Sequence, residues 1–333
     1  MAQVKLKDIA EKVGVSVVTV HKVFSGKKGI SEAVSRAVYQ VADELGYNYE
    51  RYRKKEKTDF RVGILVAHKY LEIGVSFYWE MYQQMAYQFS EKQCLTTIEI
   101  LEDQEEANNV PAKILEGNMI DGIIVLGKIG EDYVRNLINQ AKVPIVLLDF
   151  HIEGLACDAV VSHNYLGMYK VTKYLLKRGH HKIAFLGSIH DTENIMDRYF
   201  GYRKALEEHS IALKKEWLIE DRDLKTGKIQ IQLPAEMPTA FVSNSDVSAA
   251  HLYDLLVQNG YKVPNDISIV GFDDYLFGHP FAEQLTTYHV NTTEMVNIAV
   301  KSLLNRMKGK DIMPQVYYVD SKIKERSSVR SLL

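Results

Sequence analysis

The chain has 333 residues, 46% of them apolar and 25% charged, a globular composition with enough apolar material for more than one core. At about 100–200 residues per domain, two or three domains are expected. The opening MAQVKLKDIAEK is charged and amphipathic, without the apolar stretch of a secretory signal, and no run of about 18 apolar residues follows; export and a membrane span are not expected, and the cytoplasm is.

Cys94 and Cys157 stand far apart with no metal-type spacing, which suits a reducing compartment and two small buried side chains. Overall charge is −2, yet residues 1–57 carry twelve Lys/Arg against seven Asp/Glu, a net of +5 that leaves −7 for the other 276. A basic head on an acidic body suggests a module for polyanions joined to a part with another task. A solvated lysine-rich surface would give the same count.

In chain order, LKDIAEKV places Ile9, Ala10 and Val13 at helical spacing, and Gly14 follows as a stop residue able to take positive φ. GVSVVTVHKVF then holds five valines and a threonine, which by propensity reads as a strand. Pattern overrides propensity here. At 100° per residue Thr19, Val20, Val23 and Phe24 fall on one arc, with Val17, Val18, His21, Lys22 and Ser25 opposite. Ser16 is a good N-cap, and Val15 with Val20 makes a hydrophobic staple. Ser31 caps a third helix carrying Val34, Val38, Val41, Ala42 and Leu45, which Gly46 ends.

Helix, turn, helix presents its second helix to the major groove. Val17 and Val18 would touch thymine methyls, Lys22 would donate to guanine or phosphate, and His21 suits either. Ser16, Thr19 and Ser25 are candidate phosphate or base contacts beside them. The alternative is that this face packs on another domain or a second copy.

The run VKLKDIAEKVGVSVVTVHKVFSGKKGISEAVSRAVYQVADELGY resembles, without a gap, the DNA-binding head of the LacI/GalR family of bacterial repressors. The resemblance places Val17, Val18 and Lys22 at positions of base readout; His21 stands where a serine is common. After Tyr47 the family continues with a proline and a hinge helix whose leucine wedges into the minor groove. This chain reads YNYERYRKKEKTDF, with Tyr49 for the proline and Glu56 where the leucine would fall. A carboxylate makes no apolar wedge and is repelled by phosphate. Arg51, Arg53, Lys54, Lys55 and Lys57 are expected to hold DNA electrostatically, or to form a charged linker that orders only on DNA.

From residue 61 the strand-like runs RVGILVA, TTIEIL, DGIIVL and PIVLLD alternate with helical stretches near 77–92, 105–116 and 131–140. KIAFLG, TAFVSN and ISIVGF follow, with helices near 165–178, 197–209 and 247–259. Each series suits a doubly wound parallel sheet, whose ligands bind beyond the carboxyl ends of the strands. His68, Ser76, Phe77, Tyr78, Trp79, Asp149, Arg198, Asn244, Asp246, Asp273 and Asp274 lie there. Carboxylates, an amide and a guanidinium around aromatic surface suit a polyhydroxylated ligand, which needs both donors and acceptors. The duller readings are turn capping by Asp273 and Asp274, an interlobe salt bridge at Arg198, and plain core for Phe77 and Trp79.

DAVVSHNYLGMYKVTKYLLKRGHHKIAFLG, ISIVGFDDYLFG and LTTYHVNTTEMVNIAVKSLL extend the resemblance to the family's regulatory part, similar to periplasmic sugar-binding proteins of the ribose-binding type. It implies an all-α helix-turn-helix head plus a type I periplasmic-binding-protein-like α/β body of two lobes with parallel doubly wound sheets. The implied partition is 1–46 for the head, 47–60 for a basic hinge, 61–161 plus 291–317 for one lobe, and 162–290 plus 318–333 for the other. Chain crossings are expected near 159–163, 287–291 and 318–322. Transferred by motif, Asp149, Arg198, Asn244 and Asp273 are the effector contacts, with Arg222 of DRD where the family often has an aromatic.

An enzyme is not expected: Gly127, Gly130, Gly187 and Gly271 form no phosphate cradle, and the eleven histidines show no metal-ligand spacing, with a cationic or capping role at a helix end for His180 and His181. A sugar receptor without a DNA role would account for the body but not the head. The expected function is a sequence-specific transcriptional regulator, a repressor of carbohydrate-utilisation genes. It would bind a pseudo-palindromic double-stranded operator as a homodimer under a carbohydrate effector, with no cofactor, metal or membrane.

Overall fold

The computed structural model describes residues 4–25, 29–49, 59–71, 77–224 and 226–333. Arg51, Arg53, Lys54, Lys55, Lys57, Glu56 and Ser76 lie outside them. The described residues divide into two compact units, one up to residue 58 and one from Asp59 onward.

The first unit is built on three helices, α1 (Leu6–Val13), α2 (Val17–Phe24) and α3 (Glu32–Glu44). Gly14 takes φ +76° and lets α1 stop short of α2. Ser16 Oγ accepts from the Thr19 amide at 3.0 Å, so the valine-rich stretch begins as a capped helix. Its arc of Val20, Val23 and Phe24 closes on Ile9 and Ala10 of α1 and Val38 and Ala42 of α3. Phe24 also stacks on Tyr47 and Tyr49, at centroid separations of 5.9 and 5.1 Å. Tyr49 donates to Asp43 at 3.0 Å. The head's core therefore runs past residue 46, because the aromatic ring standing at the proline position is drawn into it.

The second unit holds two six-stranded sheets. The first contains β1 (Arg61–Ala67), β2 (Leu95–Leu101), β3 (Gly122–Leu126), β4 (Ile145–Leu148), β5 (Asp158–Ser162) and a late strand, β11 (Val316–Val319), in the order β11-β5-β4-β3-β1-β2, all parallel. The second contains β6 (Ile183–Leu186), β7 (Leu218–Ile219), β8 (Ala240–Ser243), β9 (Ser268–Asp273), β10 (Thr286–His289) and β12 (Ile323–Lys324). Its order is β12-β10-β9-β8-β6-β7, and only β12 runs antiparallel to its neighbour. β-Branched runs buried on both faces are what such sheets require.

In the first sheet Val62, Ile64 and Val66 meet Met81, Met85 and Phe89, spaced i, i+4 and i+8 along α4 (Phe77–Glu91), and Met295, Ala299 and Leu303 of α10 (Thr292–Met307). The opposite face packs on Tyr133, Val134 and Leu137 of α6 (Glu131–Gln140). In the second sheet Phe185, Val242 and Phe272 face α7 (Asn164–Leu176) and α8 (Glu193–Glu208), while Leu186, Phe241 and Ile269 face α9 (Asp246–Gln258).

The helix expected near 105–116 is instead a short α5 (Asp103–Ala107) and a later 3-10 turn at Lys113–Asn118. Asn109 at φ +51° and Pro111 behind it cannot continue a helix. The chain passes between sheets after Ser162, after His289 and between Val319 and Ile323. Tyr318 and Val319 therefore belong to the first sheet, pairing with Val161 and Ser162. Asp158 locks this edge: it accepts from Arg306 Nε and Nη2 at 2.7 and 2.6 Å, from the Gln315 amide at 2.9 Å and from Ser302.

His180 caps the end of α7 through its backbone, whose N–H donates to the Leu175 carbonyl at 3.2 Å, but its ring has no cationic role. It is buried, its ring nitrogens lying 3.0 Å from Thr239 Oγ1 and from the Arg330 carbonyl, and burial pulls its pKa below the ordinary histidine value.

Candidate DNA-reading helix and effector cleft

On α2 the residues left out of the core are Val17 and Val18, 41% and 63% exposed, with His21 and Lys22 also exposed. Ser16 caps the helix, its hydroxyl 2.8 Å from that of half-buried Thr19. Ser25 turns its hydroxyl back to the His21 carbonyl at 2.7 Å. Two exposed valines and a lysine on one helical face form a surface that fits groove edges.

In the second unit, residues from both sheets meet beyond the carboxyl ends of the strands. Asp149 follows β4, is buried, and holds φ +69°; Asp273 ends β9 at φ +116°. Left-handed backbone at non-glycine residues is costly and clusters where side-chain aim matters. Between them lies Arg198 of α8, buried with its guanidinium carbon 3.9 Å over the Phe272 ring. Its Nη2 is 3.5 Å from Asp273, Nε donates to Asn164 at 2.8 Å, and Nη1 donates to the Asn244 carbonyl at 2.6 Å. Tyr78 donates to Asp149 at 2.8 Å, and Asn194 to the Asp149 carbonyl at 3.0 Å.

Burial pushes Asp149 up to about 6 against the opposing pull of Arg198 and Tyr78. Burial likewise raises Asp273 to about 7, with Arg198 opposing and the neighbouring Asp149 adding to the rise. Arg198, with Arg222 adding to its pull on Asp273, offsets the burial of the two carboxylates only in part.

Phe77 meets Tyr275 edge-on at 5.9 Å and so bridges the two lobes, and it meets Tyr78 at 5.4 Å. Trp79 stacks instead on Tyr82, one turn along α4. Arg222 reaches Asp191 at 3.4 Å and Asp221 at 2.8 Å. Asn244 spends its amide nitrogen on the Leu186 carbonyl and Asp221, at 3.1 and 2.8 Å, so its backbone oxygen is what touches Arg198. Asp246 is buried deeper, accepting from Thr287 at 2.7 Å and the Tyr275 amide at 3.0 Å. Asp274 points away to Lys324 and Arg326, at 2.6 and 2.7 Å, and anchors β12. His68 sits in a 3-10 turn, 3.8 Å from Glu102.

Sequence reasoning passed over Tyr70, Asn164, Asp191, Asn194 and Tyr275. Tyr70 lies 4.3 Å from the Tyr78 ring, over Gly127, where a Cβ would come within 2.7 Å of it. Tyr70, Asp191 and Asn194 follow β1 and β6 in sequence, so the strand-end rule covered them; Asn164, in a chain crossing, carried no such signal. Among the described residues no cluster of three His, Cys, Asp or Glu is placed to hold a metal, and no helix is long and apolar enough to cross a membrane.

Residues 5–49 match the model for bacterial regulatory proteins of the lacI family, and residues 172–329 that for a periplasmic binding protein-like domain. The HTH-type transcriptional repressor PurR of Vibrio atlanticus is 30% identical over 339 residues, covering 98% of this chain and 99% of that repressor. Among solved structures, the regulator CelR in complex with cellobiose superposes with TM-score 0.69 at 20% identity, covering 98% of this chain and all (100%) of that one. The lac repressor dimer bound to operator and an anti-inducer gives 0.67 at 19%, covering 99% and 100%. Head, body and a relative aligned from end to end agree: the chain belongs to the LacI family of DNA-binding transcriptional regulators, which act by binding and not as enzymes.

Proposed function

We propose that the protein is a homodimeric repressor that holds a pseudo-palindromic operator with α2 of each copy and is switched by a neutral carbohydrate bound at Asp149, Arg198 and Asp273. Exposed Val17 and Val18 would meet thymine methyls while Lys22, and His21 beside it, reach guanine or phosphate. One head spans too few base pairs for a specific site, so two copies are needed. The basic residues Arg51, Arg53, Lys54 and Lys55 would add sequence-independent attraction.

The observation that carries the effector reading is the charge balance around Arg198. Among the described residues, the cations that act on Asp149, Asp273, Asp191 and Asp221 are Arg198 and Arg222. A phosphate or carboxylate on the ligand would meet surplus negative charge. A polyol donates to the carboxylates and accepts from the guanidinium, with Phe77, Tyr78 and Tyr275 covering its apolar faces. Cellobiose in the CelR complex is a ligand of this neutral class.

A thermal-shift and calorimetric screen of neutral sugars against their phosphate esters tests the effector. Stabilisation by a neutral sugar alone is expected; preference for the esters would overturn it. A gel shift with random and selected duplexes tests the head, and a protein indifferent to DNA would be a receptor. The ring pair Tyr70 and Tyr78 favours a second reading, a planar heteroaromatic base, for which adenine and guanine in the same screen decide.

A further inference from the structure

Away from Arg198's guanidinium, where the chain crosses from the first sheet to the second, lies a hollow of about 730 Å³. It is walled by His163 and Asn164 at the start of α7, Asp197 and Phe200 on α8, and Tyr318 on β11. Both lobes contribute. Of its wall, Asn164 is shared with the Arg198 group, while Asp197, Phe200 and Tyr318 make no hydrogen bond or ion pair with that group among the described residues.

The charges in the hollow are settled except one. Arg203 pairs with Glu207 and Lys204 with Glu208, each at 2.8 Å. The half-buried carboxylate of Asp197 has no hydrogen bond and no ion pair among the described residues. Burial raises its pKa, while His151 and His163 at a distance pull it down. A desolvated carboxylate without a partner favours a cation.

The walls beside it are aromatic. Phe200 and Tyr318 are 44% and 53% exposed, far more than large apolar rings in the cores beneath them, and the Tyr318 ring packs on His163 at 5.4 Å. Ring faces around a carboxylate attract organic cations through the ring quadrupole. An anion would find the two basic side chains already paired.

We propose that this hollow is a second small-molecule site, one that takes an organic ammonium group on Asp197 with its carbon skeleton against Phe200 and Tyr318. The site adjoins the effector cleft by one residue, since Arg198 follows Asp197 and donates to Asn164 in the hollow's wall at 2.8 Å.

The test is calorimetric titration of the full chain with benzylammonium at about pH 8, where free histidines are neutral, and with benzyl alcohol as the uncharged control. Benzylammonium is expected to saturate in the millimolar range and benzyl alcohol not to. Asp197→Asn should weaken benzylammonium by about tenfold, and Phe200→Ala by several-fold. Phe200 is exposed, so its truncation leaves the fold intact even if Asp197→Asn lowers the melting temperature. Asp149→Asn, in the effector cleft, should leave the titration unchanged. Absence of saturation, equal affinity for benzyl alcohol, or indifference to both Asp197→Asn and Phe200→Ala would overturn the proposal. So would loss of binding in Asp149→Asn alone, which would place the cation in the effector cleft.

Discussion

Asp149 and Asp273 illustrate how much a single backbone angle and a single counter-charge decide. Both are raised above the ordinary carboxylate value, to about 6 and about 7, by burial that Arg198 only partly offsets. Between roughly pH 4 and 7 the folded protein therefore binds more protons than the unfolded chain, and this contribution to stability falls as pH rises through that window. His180, held neutral by burial, has the opposite sign and loses stability as pH falls below the ordinary histidine value. A difference measurement separates them: the melting temperature of the wild type minus that of Asp273→Asn should decrease from pH 5 to pH 8, and a flat difference would contradict the raised pKa. Neutral-sugar binding, which favours ionised acceptors, should release protons near pH 6.5 and show a buffer-dependent heat. The strand-end positions of Asp149 and Asp273 were legible because acidic residues directly after an apolar run mark strand ends, whereas Arg198, inside α8, was named from the family motif and not from a strand end. Asn244 and Asp246 share that signal, yet their side chains face Asp221 and Thr287, a choice set by packing that no local pattern records.

At the scale of elements, helical period outweighed β-propensity in α2 because a cap, a staple and an apolar arc agreed with one another. Ser16→Ala removes the acceptor for the Thr19 amide and should cost about 1 kcal/mol; a weaker operator gel shift with an unchanged body melt is the expected readout. The helix expected near 105–116 does not form because Asn109 at positive φ and Pro111 after it break the run. The two-residue strands β7 and β12 were missed because so short a run has no period to detect. Crossing of α7 and α8 was equally hidden. A Cβ on Gly201 would come within 2.1 Å of the Tyr165 carbonyl oxygen, so the two backbones touch there. Gly201→Ala should destabilise the body by about 1–3 kcal/mol through forced separation of the helices. Because Arg198 lies one turn earlier on α8, the same change should also weaken effector binding; calorimetry on the folded variant checks it.

For the whole molecule, a head of net +5 and a body of net −7 assign attraction to DNA and recognition of a small ligand to different units. Lys22→Ala should therefore weaken operator binding and leave sugar binding unchanged, and Asp273→Ala should do the reverse. Equal damage to both activities by either substitution would refute the division. Salt dependence sharpens the first of these: if Lys22 neutralises a phosphate, the slope of log affinity against log salt should fall by about 1; if it reads a guanine, the slope stays and discrimination between operators falls. The two units nevertheless share one free energy. If the carbohydrate changes operator affinity by some factor, the operator must change carbohydrate affinity by the same factor. Measuring the sugar's Kd with and without saturating operator, and the operator's Kd with and without saturating sugar, should give equal ratios. Ratios of unity in both arms would mean that the interlobe site does not regulate DNA binding, and the repressor would need a different effector.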